Sequence, residues 1–345
     1  MLDSVAPGPA APLSPAGRML NMIHGYLPMQ LIYVAAKLGV ADLLSSGPQR
    51  SADLAGALGV QPAPLHRVLR GLVNYEVLRE EPDGRFALTP LGEKLQTHVA
   101  GSLRGLAIIH GEAFYEAYRA LLHEVRTGEV AFNHIFGEGF FEYLAHHPAT
   151  NEIFNNFISS TTSQAAQAML AAYDFAPVRR VVDVGGTYGT FLAPVLQAHP
   201  HLQGVLFDKA AIVEGTELYF EAAGLADRCT IVAGDFLESV PAGGDLYILS
   251  QVLHDWDDPQ ATRILQNCRQ ALAPGGKLLI VEMIMPERVT PGAMVAEFDL
   301  HMLVLFDGRE RSEAEYRRLL AAAGFALSRV IPMQSPRSLI EAVPG

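Results

Sequence analysis

From Pro177 onward the chain alternates short, unbroken apolar runs with helix-like stretches: Val181–Val184, Gly204–Phe207, Thr230–Val232, Leu246–Leu249 and Lys277–Val281. Runs that are apolar at consecutive positions, instead of at every second one, read as strands buried on both faces, with the intervening helices as covering layers. The pattern predicts an α/β fold: a doubly wound, Rossmann-like parallel sheet over residues 173–345. Such sheets bind ligands beyond the carboxyl ends of their strands, so the residues that follow each run are where chemistry is sought.

The upstream part has a different texture. Residues 1–15 are rich in Pro and Ala, lack the basic and apolar regions of a signal peptide, and read as a disordered tail. Residues 16–100 read as a winged helix. An apolar helical face runs through Met19, Leu20, Ile23, Leu27, Leu31, Val34, Ala35 and Leu38, with Pro28 as a kink or boundary. Ser51 is expected to cap a short helix that Gly59 ends, and a second helix follows from Pro64 to Asn74. Strands Val77–Arg79 and Arg85–Leu88 flank a turn, after which Thr89-Pro90 starts another helix. Residues 101–172, mostly helical and rich in Phe, Tyr and His, are expected to bridge the two domains.

A winged helix can read DNA, but the second helix offers only Arg67 and Arg70, set among Asp53, Glu76, Glu80, Glu81, Asp83 and Glu93. With 25 Lys+Arg against 37 Asp+Glu the whole chain carries a net charge of −12, which disfavours a phosphate backbone as partner. Packing against a second copy is the favoured use, because the apolar helices exceed what so small a module buries alone. Cys229 and Cys268 form no CxxC pair, so neither a disulfide framework nor a thiolate zinc cluster is expected, in keeping with a reducing, cytoplasmic setting. No stretch is long and apolar enough for a membrane span.

The first strand of the sheet ends in Gly185-Gly186-Thr187-Tyr188-Gly189, a turn that lets a ligand approach the backbone closely. Its glycines do not fit the one, three, six spacing of a dinucleotide fingerprint, so NAD is disfavoured. Asp208 closes the next strand, where a carboxylate can accept bonds from two ribose hydroxyls. Asp235 and Phe236 close the third, where a carboxylate and a ring can bond to and stack on an adenine. After the fourth strand come Ser250, Gln251 and His254, and an imidazole with pKa near neutrality at this edge can serve as a general base. Asp258-Pro259 beyond it reads as a helix cap and first-turn proline. No metal site is expected, because the remaining histidines, such as His146-His147, lack ligand spacing.

In order and spacing, DVGGTYG, VLFD, AGDF, LSQVLHDWDD, LAPGGKLLIVE and DGRERS resemble the S-adenosylmethionine-dependent small-molecule O-methyltransferases of the plant caffeate type and the bacterial antibiotic-tailoring type. The resemblance extends over most of the chain, including the N-terminal winged-helix dimerisation domain, and implies a homodimer acting on an aromatic hydroxyl without metal. It implies that Gly185, Gly186 and Gly189 hold the methionine part of the cofactor, Asp208 the ribose, Asp235 and Phe236 the adenine, with Ser250 reaching the adenosine. Thr162 takes the place of a serine near the cofactor's carboxylate. His254 becomes the base, and Glu282 and Glu310 the two glutamates that steer its ring. Phe154, Ile158, Gln251, Phe298, Met302 and Phe306 are the candidate acceptor-pocket residues. Thr187 departs from the family pattern, standing where a third glycine is usual, and Ile158 stands where methionine is common. Two other readings remain open: the same fold using its cofactor for a non-methylating reaction, and a winged-helix regulator.

Overall fold

A computed structural model describes residues 14–99 and 101–345, apart from the side chains of 159–161. The chain divides after Tyr115 into two compact units.

In the first unit, helices α1 (Pro15–Ile23), α2 (Tyr26–Leu38) and α3 (Val40–Leu44) precede strand β1 (Gln49–Arg50), helices α4 (Ser51–Leu58) and α5 (Pro62–Asn74), strands β2 (Leu78–Glu80) and β3 (Arg85–Leu88), and helix α6 (Arg104–Ile109). The three strands form an antiparallel sheet in the order β1-β3-β2, the wing of the winged helix. Leu54, Leu65, Leu69, Leu72 and Phe86 fill its core, whereas among the described residues none of α1 is buried, and Met19, Leu20, Met22 and Ile23 are exposed.

Several local expectations are corrected here. Ser14, whose side chain accepts a bond from Gly17 N at 3.2 Å, and Pro15 begin α1 and do not belong to a tail; the rest of the predicted tail lies outside the described residues. The break after α1 falls at His24 and Gly25, with Pro28 inside the first turn of α2, where a missing N–H costs nothing. Ser51 is the first helical residue of α4 and does not cap it; its hydroxyl lies 3.1 Å from His66 Nδ1. Gly59 does end α4, at φ 66°. Thr89-Pro90 leads into one 3-10 turn, Gly92–Leu95, in place of a helix. The stretch expected as one bridge, 101–172, is divided between the units.

Helix α7 (Tyr115–Arg119) starts on the last residue of the first unit, and the second unit continues with α8 (Leu121–Thr127), α9 (Ala131–Phe136), α10 (Phe140–His146) and the long α11 (Pro148–Ala172). Then follow β4 (Arg180–Val184), α12 (Leu192–Ala198), β5 (Gln203–Asp208), α13 (Ala210–Val213), α14 (Thr216–Ala222), β6 (Cys229–Ala233), β7 (Leu246–Ser250), α15 (Asp258–Ala271) and β8 (Lys277–Glu282). The unit ends with α16 (Met294–Leu305), α17 (Glu313–Ala322), β9 (Phe325–Pro332) and β10 (Ser338–Pro344). Consecutive side chains of the strands go to opposite apolar layers. Val182, Val184, Tyr247, Leu249 and Ile280 meet α15 and α17 on one face. Val181, Leu206, Ile248 and Val281 meet α11 and α12 on the other.

The seven-stranded sheet has the order β6-β5-β4-β7-β8-β10-β9. The first five strands are parallel, as expected, but β10 runs antiparallel to both β8 and β9, so the sheet is mixed and not wholly parallel. Strand order reverses at β4, and the crevice between the ends of β4 and β7 is the switch point at which doubly wound sheets take their ligands.

Candidate active site

The register of the parallel strands carries the predicted residues to one edge: Val184 pairs with Phe207 and Leu249, Asp208 with Ala233, and Ser250 with Val281. Gly185–Gly189, Asp208, Asp235, Phe236, Ser250 and Gln251 therefore leave the sheet side by side.

In the glycine turn Gly185 and Gly189 have φ of 72° and 75°, a region that favours glycine. A Cβ on Gly185 would lie 2.8 Å from Val252, one on Gly186 2.6 Å from Asp183 Oδ2, and one on Gly189 2.5 Å from the Phe220 ring. All three glycines are thus required by the protein's own packing, and Gly186 and Gly189 are buried. Thr187 adopts φ 50°, a left-handed conformation that favours glycine, and its N–H donates to Asp208 Oδ2 at 2.9 Å. Asp208 Oδ1 accepts from Lys209 N at 2.7 Å. Burial raises the Asp208 pKa, and these two backbone bonds work against that rise. Beneath the turn, both carboxylate oxygens of Asp183 and the Thr190 hydroxyl are buried without a hydrogen-bond partner. Burial, and secondarily the charge of Asp208, pushes Asp183 up to about 7.

Asp235 uses Oδ1 to accept Leu237 N at 2.8 Å, and the buried Phe236 ring meets Trp256 edge-on at 5.7 Å. Asn155 of α11 donates to the Tyr188 hydroxyl at 2.8 Å, beside a cleft of about 330 Å³ lined by Asn151, Asn155 and Tyr188. Thr162 is buried on the same helix, and Ile158 is half-buried there.

His254 lies on a single 3-10 turn after β7 and is 6 % exposed. Its Nδ1 is 2.8 Å from Glu310 Oε1. A carboxylate there accepts a hydrogen bond from Nδ1–H and leaves the neutral ring's lone pair on Nε2, the arrangement a general base needs. Glu282 acts differently from expectation: Oε1 accepts the backbone N–H of Leu253 at 2.7 Å and of His254 at 3.2 Å, and Oε2 accepts from the Tyr316 hydroxyl. Glu282 therefore fixes the turn and not the ring. Gly308 lets the turn bearing Glu310 lie against this segment, since a Cβ there would fall 1.9 Å from His254 O, and Arg309 N donates to that oxygen at 2.8 Å.

Three features escaped the sequence reading. Asp255 Oδ1 lies 3.5 Å from His254 Nε2. Arg311, fully buried, donates to Leu253 O and Trp256 O at 2.7 Å and pairs with Asp258. Asp257, not Asp258, caps α15 by accepting Gln260 N. The only signal for Asp255 was its place next to His254. Burial disfavours the His254 imidazolium, but Asp255, Glu310 and Glu282 together outweigh it and push the group up to about 9. Burial also pushes Asp255 up to about 7, against the pull of His254.

Phe154, Phe140 and Phe306 form one aromatic cluster, with Phe140 edge-on to Phe154 at 5.1 Å and to Phe306 at 5.5 Å. Met302 is buried and Phe298 half-buried on α16. The fold also gathers His123, Glu129 and His134, a set the sequence spacing did not announce, with ligand atoms within 4.8 Å of one another. The two imidazoles are stacked at 3.7 Å and 14°, so their in-plane lone pairs run side by side and do not converge on one ion. No described helix is long and apolar enough to cross a membrane.

Comparison with known proteins adds an O-methyltransferase domain model matching residues 118–326 and an O-methyltransferase dimerisation domain model matching residues 20–98. The chain is 45% identical over 335 residues to the phenazine O-methyltransferase of Lysobacter antibioticus, covering 97% of each. Its fold matches the structure of the mitomycin 7-O-methyltransferase with TM-score 0.91 at 35% identity, covering 96% of this chain and 98% of the other. It also matches an O-methyltransferase from neocarzinostatin biosynthesis in complex with S-adenosylmethionine and 2-hydroxy-5-methyl naphthoic acid, with TM-score 0.83 at 34% identity, covering 92% and 96%.

Proposed function

Since the chain belongs to the O-methyltransferase family and carries that family's dimerisation domain, we propose that it moves the methyl group of S-adenosylmethionine to a hydroxyl of an aromatic small molecule, as a homodimer. The observation that carries this reading is the buried His254 Nδ1 to Glu310 contact of 2.8 Å at the ligand edge of the sheet.

The residues at that edge fit the cofactor. Asp208 is oriented by two backbone bonds and keeps further lone pairs for two ribose hydroxyls. We assign Asp235 and Phe236 to the adenine, Ser250 to the adenosine, and Thr162 and the glycine turn around Gly185 to the amino-acid end. The orphaned oxygens of Asp183 and Thr190 below the turn support a polar ligand or ordered water above it. S-adenosylmethionine, when bound, supplies an activated methyl group and a positive charge.

The chain's own work is positioning and proton transfer. Displacement at a methyl carbon needs the attacking oxygen held in line, which an aromatic wall of Phe154, Phe306 and Met302 can do for a flat acceptor. His254 Nε2 takes the hydroxyl proton, and Glu310 stabilises the imidazolium that results. This chemistry calls for no metal. With the His254 pKa pushed up to about 9, the unprotonated fraction that can act as base grows with pH, and a positive charge brought near enlarges it by lowering that pKa.

The test is a calorimetric titration with S-adenosylhomocysteine alongside methyl transfer to a panel of phenols. His254→Ala is expected to abolish transfer with product-cofactor binding nearly intact; loss of both together removes the base assignment. No binding at millimolar ligand removes the reading itself.

A further inference from the structure

Asp257 caps α15, which leaves Asp258, the exposed first residue of the helix, with no part in the cap. Asp258 is held instead by the two arginines that flank Glu310: its Oδ2 accepts from Arg309 Nη2 at 2.5 Å, and its Oδ1 from Arg311 Nε at 3.0 Å. Arg311 is fully buried, a costly place for a charge unless its donors are engaged. Beyond Asp258, its Nη1 donates to Leu253 O and its Nη2 to Trp256 O, each at 2.7 Å, so one planar group spans the carbonyls that bracket His254 and Asp255. Leu253 N and His254 N go to Glu282, and His254 O to Arg309 N. Three successive residues therefore divide the work: Arg309 N takes the His254 carbonyl, Glu310 the ring, and Arg311 the carbonyls on either side.

A lone 3-10 turn has poor internal hydrogen bonding, so outside partners set its bearing. Misplacing a reacting group by about 1 Å can cost about a hundredfold in rate. We propose that Arg311, anchored by Asp258, is a positioning residue for methyl transfer, acting through the backbone of residues 253–256 to keep the His254 ring on Glu310 and Nε2 in place for the hydroxyl proton. The inference rests on the methyl-transfer reading. Lys cannot take the place of Arg311, because an ammonium keeps the charge but is a point donor that cannot lie flat between two carbonyls and a carboxylate.

Arg311→Lys therefore separates position from charge. In this variant kcat, measured with any phenol that the wild type methylates, is expected to fall about tenfold to a hundredfold with KM and S-adenosylhomocysteine affinity unchanged. The His254 midpoint, followed by NMR of histidine-labelled protein without cofactor, is expected to drop from about 9 toward the ordinary imidazole range as the ring leaves Glu310. Arg311→Ala is expected to recover turnover with added guanidinium ion below denaturing concentration, and not with sodium at equal ionic strength. Asp258→Asn, at an exposed position, is expected to show the same split between kcat and KM with a smaller loss. A folded Arg311→Lys whose kcat and midpoint match the wild type overturns the proposal. So does a fall in S-adenosylhomocysteine affinity equal to the fall in kcat, which marks a general loosening of the fold. Should Arg311→Lys fail to fold, an unchanged kcat in Asp258→Asn overturns the proposal by itself. Failure of S-adenosylhomocysteine to bind the wild type overturns the methyl-transfer reading, whereas the cofactor-free midpoint still reports on the hold of Arg311.

Discussion

Replacing Glu310 by Gln isolates one charge in the site. Gln keeps the length of the side chain and a carbonyl oxygen that can accept the Nδ1 proton at the present 2.8 Å, so the turn set by Gly308 and the Asp299 bond can persist. What disappears is the negative charge. A hydrogen bond to a charged group is worth about 1.5–3 kcal/mol and a neutral one about 0.5–1.5, a difference of about 1–1.5 kcal/mol. At about 1.36 kcal/mol per pKa unit, the His254 midpoint should fall by about one unit. Asp255 and Glu282 remain, so the group should stay above an ordinary imidazole, near 8 in place of about 9. The assay is a proton–carbon NMR titration of histidine-labelled protein, with the His254 signal assigned by its loss in His254→Gln. The acid limb of kcat/KM should move the same way. A midpoint that is unchanged, or that rises, refutes the claim that Glu310 sustains the charge on His254.

Glu282→Ala strands three buried donors, Leu253 N, His254 N and the Tyr316 hydroxyl, and should cost about 3–5 kcal/mol in urea unfolding; a loss of activity without loss of stability contradicts the backbone role given to Glu282. Asp183→Asn should stabilise the protein by about 1–4 kcal/mol at and above neutral pH. The sign follows from the raised pKa: the protonated form is favoured on folding, so that stability is complete below the carboxyl's unfolded value and lost as pH rises through about 7. The melting-temperature gain should therefore grow between about pH 4 and 7 and then level off; a gain independent of pH contradicts it. Gly308→Ala must displace the Glu310 turn from His254 O, and should reduce methyl transfer sharply while S-adenosylhomocysteine still binds. Equal loss of both would mean the turn also supports the cofactor side.

Four of the five parallel strands were legible because each is apolar at successive positions and buried between two layers, whereas β6, at the sheet edge, is at most half-buried and showed only a short apolar run. β9 and β10 were not. Ser328, Arg329 and Glu341 interrupt their apolar residues, and Glu341 is buried only because Tyr173, Lys277 and Arg329 converge on it from elsewhere. At the site, the place of His254 and Glu310 could be read from strand ends and motif. The assignment of Glu282 to backbone N–H groups, and the approach of Asp255 to Nε2, depend on how a single 3-10 turn is oriented. The bonds from Arg311 to Leu253 O and Trp256 O join segments far apart in sequence, and no local pattern records them. Helix starts failed by one residue at Ser51 and Asp258 because the neighbouring residue took the extended cap conformation.

The sheet order also bears on how the chain reaches its folded state. β10 is not an edge strand but lies between β8 and β9. Until residues 338–344 are in place, β8 presents a full row of open N–H and C=O groups along Leu278-Leu279-Ile280-Val281, with no charge among them. An unpaired strand of that composition is a template for intermolecular pairing. During synthesis and refolding this protein is therefore most exposed to aggregation in the interval between closure of the parallel strands and arrival of β10, and shortening that interval should raise soluble yield more than strengthening the finished core.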